Sequence, residues 1–278
     1  MDLASAIRRD VDAALAEDVG GGDASAALVP QQKTARAVVV CRQDAVLCGG
    51  GWFEACFRAL DAQATVSWFA TEGARVAPGA RICQIEGQAR ALLTAERTAL
   101  NFLQTLSAVA TATRRYVDAV AGTSAAIVDT RKTLPGLRVA EKYAVRVGGG
   151  ANHRMGLHDA VLIKENHIAA AGGIRPALAA ARKSAARGVW IQVEVENLDQ
   201  LREALDAGAT MILLDNMGLD ELREAVRLSA GRAELEASGG VTLVNVRKIA
   251  ETGVQRISIG ALTKDIQAVD FSMRFEEP

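Results

Sequence analysis

Six short apolar runs in the second half of the chain each stop on polar or glycine residues. Ile127-Val128 is followed by Asp129-Thr130-Arg131-Lys132-Thr133, and Ile163 by Lys164-Glu165-Asn166-His167. The third run, Val189 to Val195, carries Glu194 and leads to Glu196. Leu214 is followed by Asp215-Asn216, Leu235 by Ala237-Ser238-Gly239-Gly240 one residue on, and Ile257 by Ser258-Ile259-Gly260. One such end would mean little, because loops are polar anyway; six together predict a site. Its basic side comes from the stretch Arg131 to His167, which holds Arg131, Lys132, Arg138, Lys142, Arg146, Arg154 and Lys164 together with all three histidines. Lys142 and Arg146 read as solvated helix charges. Arg131, Lys132 and Lys164 leave buried strands, where a cation needs an anionic partner. Arginine grips planar carboxylates with two hydrogen bonds and lysine acts as a point charge, so the ligand is expected to be a polyanion with carboxylate and phosphate groups.

The acidic side is Glu194 and Glu196, two apart and therefore on one face of a strand, with Asp215 on the next strand. Such a group suits ribose hydroxyls or a hydrated Mg²⁺ that keeps its waters. The plainer reading is ion pairs to barrel lysines. Ser238-Gly239-Gly240 and Ser258-Ile259-Gly260 close the last two strands, where backbone N–H groups commonly cradle a phosphate. Gly148-Gly149-Gly150 reads as a helix C-cap that also permits a bend before His153 and Arg154. No Ser/His/Asp or Cys/His nucleophile arrangement is visible.

The elements that must position these residues follow from periodicity. From about residue 125 the apolar runs 126–128, 160–163, 189–195, 211–214, 234–237 and 256–259 alternate with helical segments at 137–147, 174–187, 198–207, 219–229 and 243–251. Strand–helix alternation implies parallel βαβ units, and six of them fit a closed or nearly closed β/α barrel. A doubly wound open sheet is the alternative; the lack of a GxGxxG after the first strand weighs against a dinucleotide fold. The first hundred residues read as mixed α and β. They comprise an amphipathic first helix, a strand at 35–42, a helix at 52–61, a hairpin or meander from 66–72 and 80–86, and a long helix from Leu92 to about Val120. On that helix Leu93, Leu100, Leu103 and Leu106 share a face.

Composition bounds the function. The chain has 278 residues, enough for one or two domains, with 50% hydrophobic and 23% charged residues. Lys+Arg is 32 and Asp+Glu is 33, for a net charge of −1, so general binding to a nucleic-acid backbone is not expected. The four cysteines, Cys41, Cys48, Cys56 and Cys83, show no CxxC or metal spacing and read as buried reduced thiols of a cytoplasmic protein. No signal peptide or membrane-spanning run is expected.

The block DTRKTLPGLRVAEKYAVRVGGGANHRMGLHDAVLIKENHI, residues 129–168, closely resembles quinolinate phosphoribosyltransferases. The resemblance continues in EDVGGGD (17–23), ERTALN (96–101), QVEVEN (192–197), LLDN (213–216), EASGGV (236–241) and ISIGAL (257–262). It implies an N-terminal α/β sandwich domain over 1–110, rejoined by 269–278, and an open β/α barrel of six or seven strands over 111–268. It implies phosphoribosyl transfer from phosphoribosyl pyrophosphate to quinolinate, with decarboxylation, to nicotinate mononucleotide, pyrophosphate and CO₂. It also implies Mg²⁺ as cofactor and a homodimer or larger assembly with shared sites, and no nucleic-acid or membrane partner. By the same resemblance Thr130, Arg131, His153 and Arg154, with Arg97 of a neighbouring chain, hold quinolinate. Lys132 and Lys164 lie between the reacting groups and the pyrophosphate, and Glu194 and Asp215 meet the ribose and Mg²⁺. Ser238, Gly239, Gly240, Ser258, Ile259, Gly260 and Lys264 hold the phosphate. Three departures stand out: Ala108 where the family has glycine, Gly22-Asp23-Ala24-Ser25 for a GDxT turn, and Asp265 near the phosphate loop. Rival readings are a molybdenum-associated paralogue, a non-catalytic sensor of phosphoribosyl pyrophosphate, and a Schiff-base aldolase using Lys164.

Overall fold

The computed structural model describes residues 2–186 and 188–276. In chain order the elements are α1 (Leu3–Val19), β1 (Thr34–Cys41), β2 (Ala45–Val46), α2 (Gly50–Leu60), β3 (Thr65–Trp68), β4 (Arg75–Val76), β5 (Arg81–Gln88) and α3 (Ala89–Ala119). Then come β6 (Ala126–Val128), α4 (Arg138–Val147), β7 (Ala160–Ile163), α5 (Glu165–Ala171), α6 (Ile174–Ser184) and β8 (Trp190–Val195). The chain ends with α7 (Leu198–Asp206), β9 (Met211–Asp215), α8 (Leu219–Ser229), β10 (Glu234–Ser238), α9 (Val246–Ala250), β11 (Arg256–Ser258), α10 (Ala261–Lys264) and β12 (Phe271–Phe275). Side chains cap several of the helices: Asp2 accepts from the Ser5 N–H at 2.9 Å, Asn197 from Gln200 at 3.0 Å and Glu221 from Gly218 at 2.8 Å.

Two compact units result. The first comprises 1–114, 133–149 and 263–278, and the second 115–132 and 150–262. The first unit contains an antiparallel sheet in the order β12-β1-β5-β3, with helices against it and a small β2–β4 pair. The expected hairpin is therefore β3 against β5, with β4 diverted to β2. The C-terminal strand β12 adds to β1 within the segment 269–278 expected to rejoin this domain, of which residues 277 and 278 lie outside the described ones. Segment 133–149, assigned to the barrel from sequence, groups with the first unit. There α4 places Tyr143 against Trp52 (ring centroids 5.5 Å apart), and Trp52 donates to Asp10 at 3.0 Å. Lys142, expected in solvent, is only 1% exposed; Arg146 is exposed. The expectation fails because α4 is buried on more than one stripe: Ala140, Glu141 and Lys142 in succession, and Ala144 and Val145 beyond them. At the end of α4, Gly148 touches α3: a Cβ there would lie 2.6 Å from the Ala110 carbonyl and from Thr113. The Gly22–Ser25 turn is closed by Asp23, which accepts from the Ser25 and Ala26 N–H groups and from the Thr94 hydroxyl.

The second unit is a single parallel sheet in the order β6-β11-β10-β9-β8-β7. The first strand pairs with the last, and β6 and β7 form the two edges, so this is an open six-stranded β/α barrel. The Ala151 backbone extends the β6 edge through a parallel bridge to Val128. One face of each strand is apolar: Val193, Val195, Ile212, Leu214, Leu235 and Ile257 are at most 1% exposed, and each contributes about 1.5–3 kcal/mol of burial. The other face carries Gln192, Glu194, Glu236 and Arg256, polar groups that parallel strands do not usually bury. The helix expected over 174–187 ends at Ser184, and residue 187 lies outside the described ones. The helix expected over 243–251 shortens to α9.

Candidate active site

Within the barrel unit, Asp129 at the end of β6 organises the first wall. It is fully buried and accepts from the His153 N–H at 2.8 Å and from Asn152 Nδ2 at 2.5 Å. This pins the chain after Gly150 beside β6. Thr130, Arg131 and Lys132 follow directly, and the Thr130 hydroxyl accepts from the Lys132 N–H at 3.0 Å. His153 and Arg154 are nearly buried, at 8% and 9% exposure. The Arg154 guanidinium donates to the Ala160 carbonyl at 3.1 Å. Burial, and then the Arg131 guanidinium, push Arg154 below the ordinary arginine value, while Asp159 and Glu194 pull it back up. Two arginines close enough to repel, one of them buried, make a site for an anion.

Lys164 ends β7 and caps α5, its N–H donating to His167 Nδ1 at 3.1 Å. Its ammonium meets Glu194 on β8 at 2.8 Å. Glu194 is therefore held by a barrel lysine, as the plainer reading had it, yet it also lines a cleft of about 240 Å³ with Glu165, Ile168, Ala169, Glu196 and Gln200. Asp215 ends β9 opposite Ser238 and accepts from Asn216 Nδ2 at 2.8 Å.

Ser238 passes into Gly239 and Gly240, with φ of +97° and +60°. At Gly239 a Cβ would sit 2.0 Å from Asn216 Oδ1, so the left-handed turn and the close approach both require glycine. Asn216 itself has φ +55°. Asn245 holds the far side of this turn by donating to the Gly240 carbonyl at 3.0 Å. Ser258 and Ile259 are buried at the end of β11, and the Ile259 N–H donates to Val128 at 2.9 Å. A Cβ on Gly260 would lie 2.8 Å from Lys132 Cδ, which puts Lys132 beside this glycine loop.

The barrel thus brings together Thr130, Arg131, Lys132, His153, Arg154, Lys164, Glu194, Asp215, Ser238–Gly240 and Ser258–Gly260. Arg97 and Lys264 belong to the other unit. Arg97 is exposed on α3, and Lys264 is paired with Asp265 at 2.8 Å. Ala108 lies in the interior of α3 with helical geometry, where alanine is favoured over glycine by about 1 kcal/mol. Among the described residues no group of three or more His, Cys, Asp or Glu side chains could hold a metal ion. Sequence reasoning missed Gln192, Glu236 and Arg256, which line the interior below the site. The alternation that places Glu194 inward places Gln192, two residues earlier, inward as well, and it does the same for Glu236 relative to Ser238.

Comparison with known proteins places this geometry. The family model of the quinolinate phosphoribosyl transferase C-terminal domain matches residues 109–274, and that of the N-terminal domain matches 23–107. A probable nicotinate-nucleotide pyrophosphorylase (carboxylating) of Bacillus subtilis is 41% identical, covering 92% of this chain and 89% of that protein. A quinolinate phosphoribosyltransferase (decarboxylating) of Nicotiana tabacum, a mitochondrial protein, is 39% identical over 95% of this chain and 80% of its own. The solved nicotinate-nucleotide pyrophosphorylase of Francisella tularensis superposes with a TM-score of 0.95 at 41% identity, covering 99% of this chain and 98% of that one.

Proposed function

Because the chain belongs to the quinolinate phosphoribosyl transferase family, we propose that it joins quinolinate to phosphoribosyl pyrophosphate and releases pyrophosphate and CO₂, giving nicotinate mononucleotide. The observation that carries this reading is the pairing of Arg131 with buried Arg154: mutually repelling guanidiniums suit a dicarboxylate better than a single charge. The quinolinate nitrogen attacks the anomeric carbon as pyrophosphate leaves. As the 2-carboxylate departs as CO₂, the electron pair of the breaking bond stays at C2, stabilised by the adjacent pyridinium nitrogen, and a proton from solvent takes the carboxylate's place to give nicotinate mononucleotide. No protein nucleophile takes part; positioning and charge stabilisation carry the rate.

Each wall has its part. Arg131 and Arg154 bind the carboxylates, with Thr130 and His153 beside them. Lys132 and Lys164 lie against the pyrophosphate. Glu194, oriented by Lys164, and Asp215 bind the ribose hydroxyls. The N–H groups of Ser238–Gly240 and Ser258–Gly260 cradle the 5′-phosphate. Carboxylates from two adjacent strands, with no group of three possible ligands among the described residues, suit Mg²⁺ that arrives with pyrophosphate and keeps most of its waters, where it would neutralise the leaving group's charge. Arg97, exposed on α3, completes the quinolinate site of a second copy in a two-fold dimer, and Lys264 offers a further phosphate contact. No helix is long and apolar enough to cross a membrane, and four buried thiols fit a cytoplasmic setting.

The decisive assay mixes the protein with quinolinate, phosphoribosyl pyrophosphate and Mg²⁺ and follows nicotinate mononucleotide and CO₂. Nicotinate should be used poorly, since a missing carboxylate leaves buried charge unpaired at several kcal/mol. Comparable turnover of the two acids would overturn the dicarboxylate reading.

A further inference from the structure

Below the site, Arg256, Glu236 and Gln192 cross the barrel interior in a line that ends on His153. Glu236 on β10 and Gln192 on β8 are fully buried. Glu236 Oε2 accepts from Arg256 Nε at 3.0 Å and from Gln192 Nε2 at 3.2 Å. Gln192 Oε1 lies 3.0 Å from His153 Nε2, and His153 Nδ1 accepts the Arg154 N–H at 2.8 Å. The direction of every bond follows from one charge. A carboxylate beside an arginine only accepts, so Gln192 must turn its amide nitrogen toward Glu236 and its oxygen toward His153. That oxygen only accepts as well, so the proton of the imidazole is on Nε2. Nδ1 is then the ring's lone pair, the form that can receive the Arg154 N–H. The second oxygen of Glu236 is buried without a hydrogen-bond partner, 3.8 Å from His153 Nε2. That is beyond hydrogen-bond distance, so the carboxylate works through Gln192. The imidazole is further held edge-on against Trp190, with ring centroids 5.0 Å apart.

We propose that Glu236 is a positioning residue of the quinolinate site: through Gln192 it locks His153 in the Nε2–H tautomer, and through His153 it anchors the backbone of Arg154. The proposal rests on the reading above that Arg154 binds a quinolinate carboxylate. It also changes the part of His153. Both ring nitrogens are engaged within the barrel, so His153 acts on the substrate through Arg154 rather than by touching it. Arg154 is only 9% exposed and its guanidinium is held by the Ala160 carbonyl, so fixing its backbone fixes where the guanidinium lies. A buried carboxylate with one unsatisfied oxygen costs stability, and an apolar pair of the same volume would fill the space as well or better. What only the charge supplies is direction.

The test is Glu236→Gln, whose amide can donate or accept and so no longer dictates the orientation of Gln192. Long-range ¹H–¹⁵N spectra of the imidazole rings report the tautomer directly. With three histidines in the chain, the signal is assigned by its loss in His153→Asn. Wild type should show a single Nε2–H form, and the variant a mixture. The KM for quinolinate should rise about tenfold, the low end of the loss when the outer partner of a metal-ligating histidine is removed, while the KM for phosphoribosyl pyrophosphate stays put. Gln192→Met cuts the line but leaves the Glu236–Arg256 pair intact, and should give the same two changes if Glu236→Gln does not fold. A purely structural role would lower the melting temperature and leave both the tautomer and the ratio of KM values unchanged, which would overturn the proposal. Should wild type fail to turn over quinolinate, the reading of the substrate falls by itself, and the tautomer measurement still decides whether the line of bonds sets His153.

Discussion

Glu141 on α4 offers a quantitative test of the burial physics. Its side chain is fully buried. One carboxylate oxygen accepts the Leu134 N–H at 3.1 Å, and the other is buried without a hydrogen-bond partner. Burial raises its pKa; the Leu134 N–H and the Arg138 charge one turn away oppose the shift without cancelling it. The result is a carboxyl moved from 4.5 to about 7. In the unfolded chain the group titrates near 4.5, so between that pH and about 7 the folded state binds the extra proton. Stability must therefore fall as pH rises through this window and level off above it. A shift of about 2.5 units at 1.36 kcal/mol each makes the ionised group cost about 3 kcal/mol at pH 8 and above. Glu141→Gln imitates the protonated carboxyl, keeping an acceptor for Leu134. It should match wild type near pH 4 to 5 and exceed it by about 3 kcal/mol at pH 8. Urea unfolding of both proteins at pH 5 and pH 8 measures this directly. Parallel loss of stability in the two proteins over that range would refute the reasoning, as would a variant weaker than wild type at pH 8.

Gly239→Ala should raise the KM for phosphoribosyl pyrophosphate and destabilise the barrel by about 1–3 kcal/mol from backbone strain alone, because φ is +97° and Asn216 occupies the space of the added methyl; steady-state kinetics and melting check it, and an unchanged KM would remove the phosphate role. All four thiols are buried, with burial pushing Cys56 up to about 12 and the others upward. Native protein should thus resist a disulfide reagent at pH 8, and prompt labelling of even one thiol per chain would contradict the packing. Arg97→Ala and Lys132→Ala chains, each nearly inactive, should recover up to half of wild-type activity per mixed dimer after subunit exchange, since one of the two shared sites then carries neither lesion. Exchange without recovery would mean that Arg97 acts within its own chain or not at all.

Most of the barrel was legible because its signals are local. Each strand is a short apolar run punctuated by polar or glycine residues, and each helix between them keeps its own amphipathic period, so α8 spans the expected 219–229 and the other boundaries move by a few residues. The first unit was less legible. Two-residue strands such as β2 and β4 carry no period at all, and their pairing depends on where the long chain between them turns. Lys142 was misplaced for a related reason. A helix wheel assumes one buried stripe, whereas α4 buries Ala140, Glu141 and Lys142 in succession as well as Ala144 and Val145, and nothing in the local sequence announces the second buried face.

The polar interior was hidden for a different reason. Gln192, Glu236 and Arg256 are single residues in strands, and in sequence they look like any solvent-facing member of an alternating pattern. On the solvated face of a flat sheet they would meet water. Curling the sheet into an open barrel turns that same face inward, and an unpaired polar set there would be far more costly than an apolar one. Burial on that inner face also explains why the set is ordered rather than merely tolerated. Arg256 is tied to Glu236 at 3.0 Å, Glu236 to Gln192 and Gln192 to His153, so each group has one way to bond once its neighbour is fixed. Local pattern specified which residues share a face; only the register of β8, β9, β10 and β11 in the curled sheet specified that they meet.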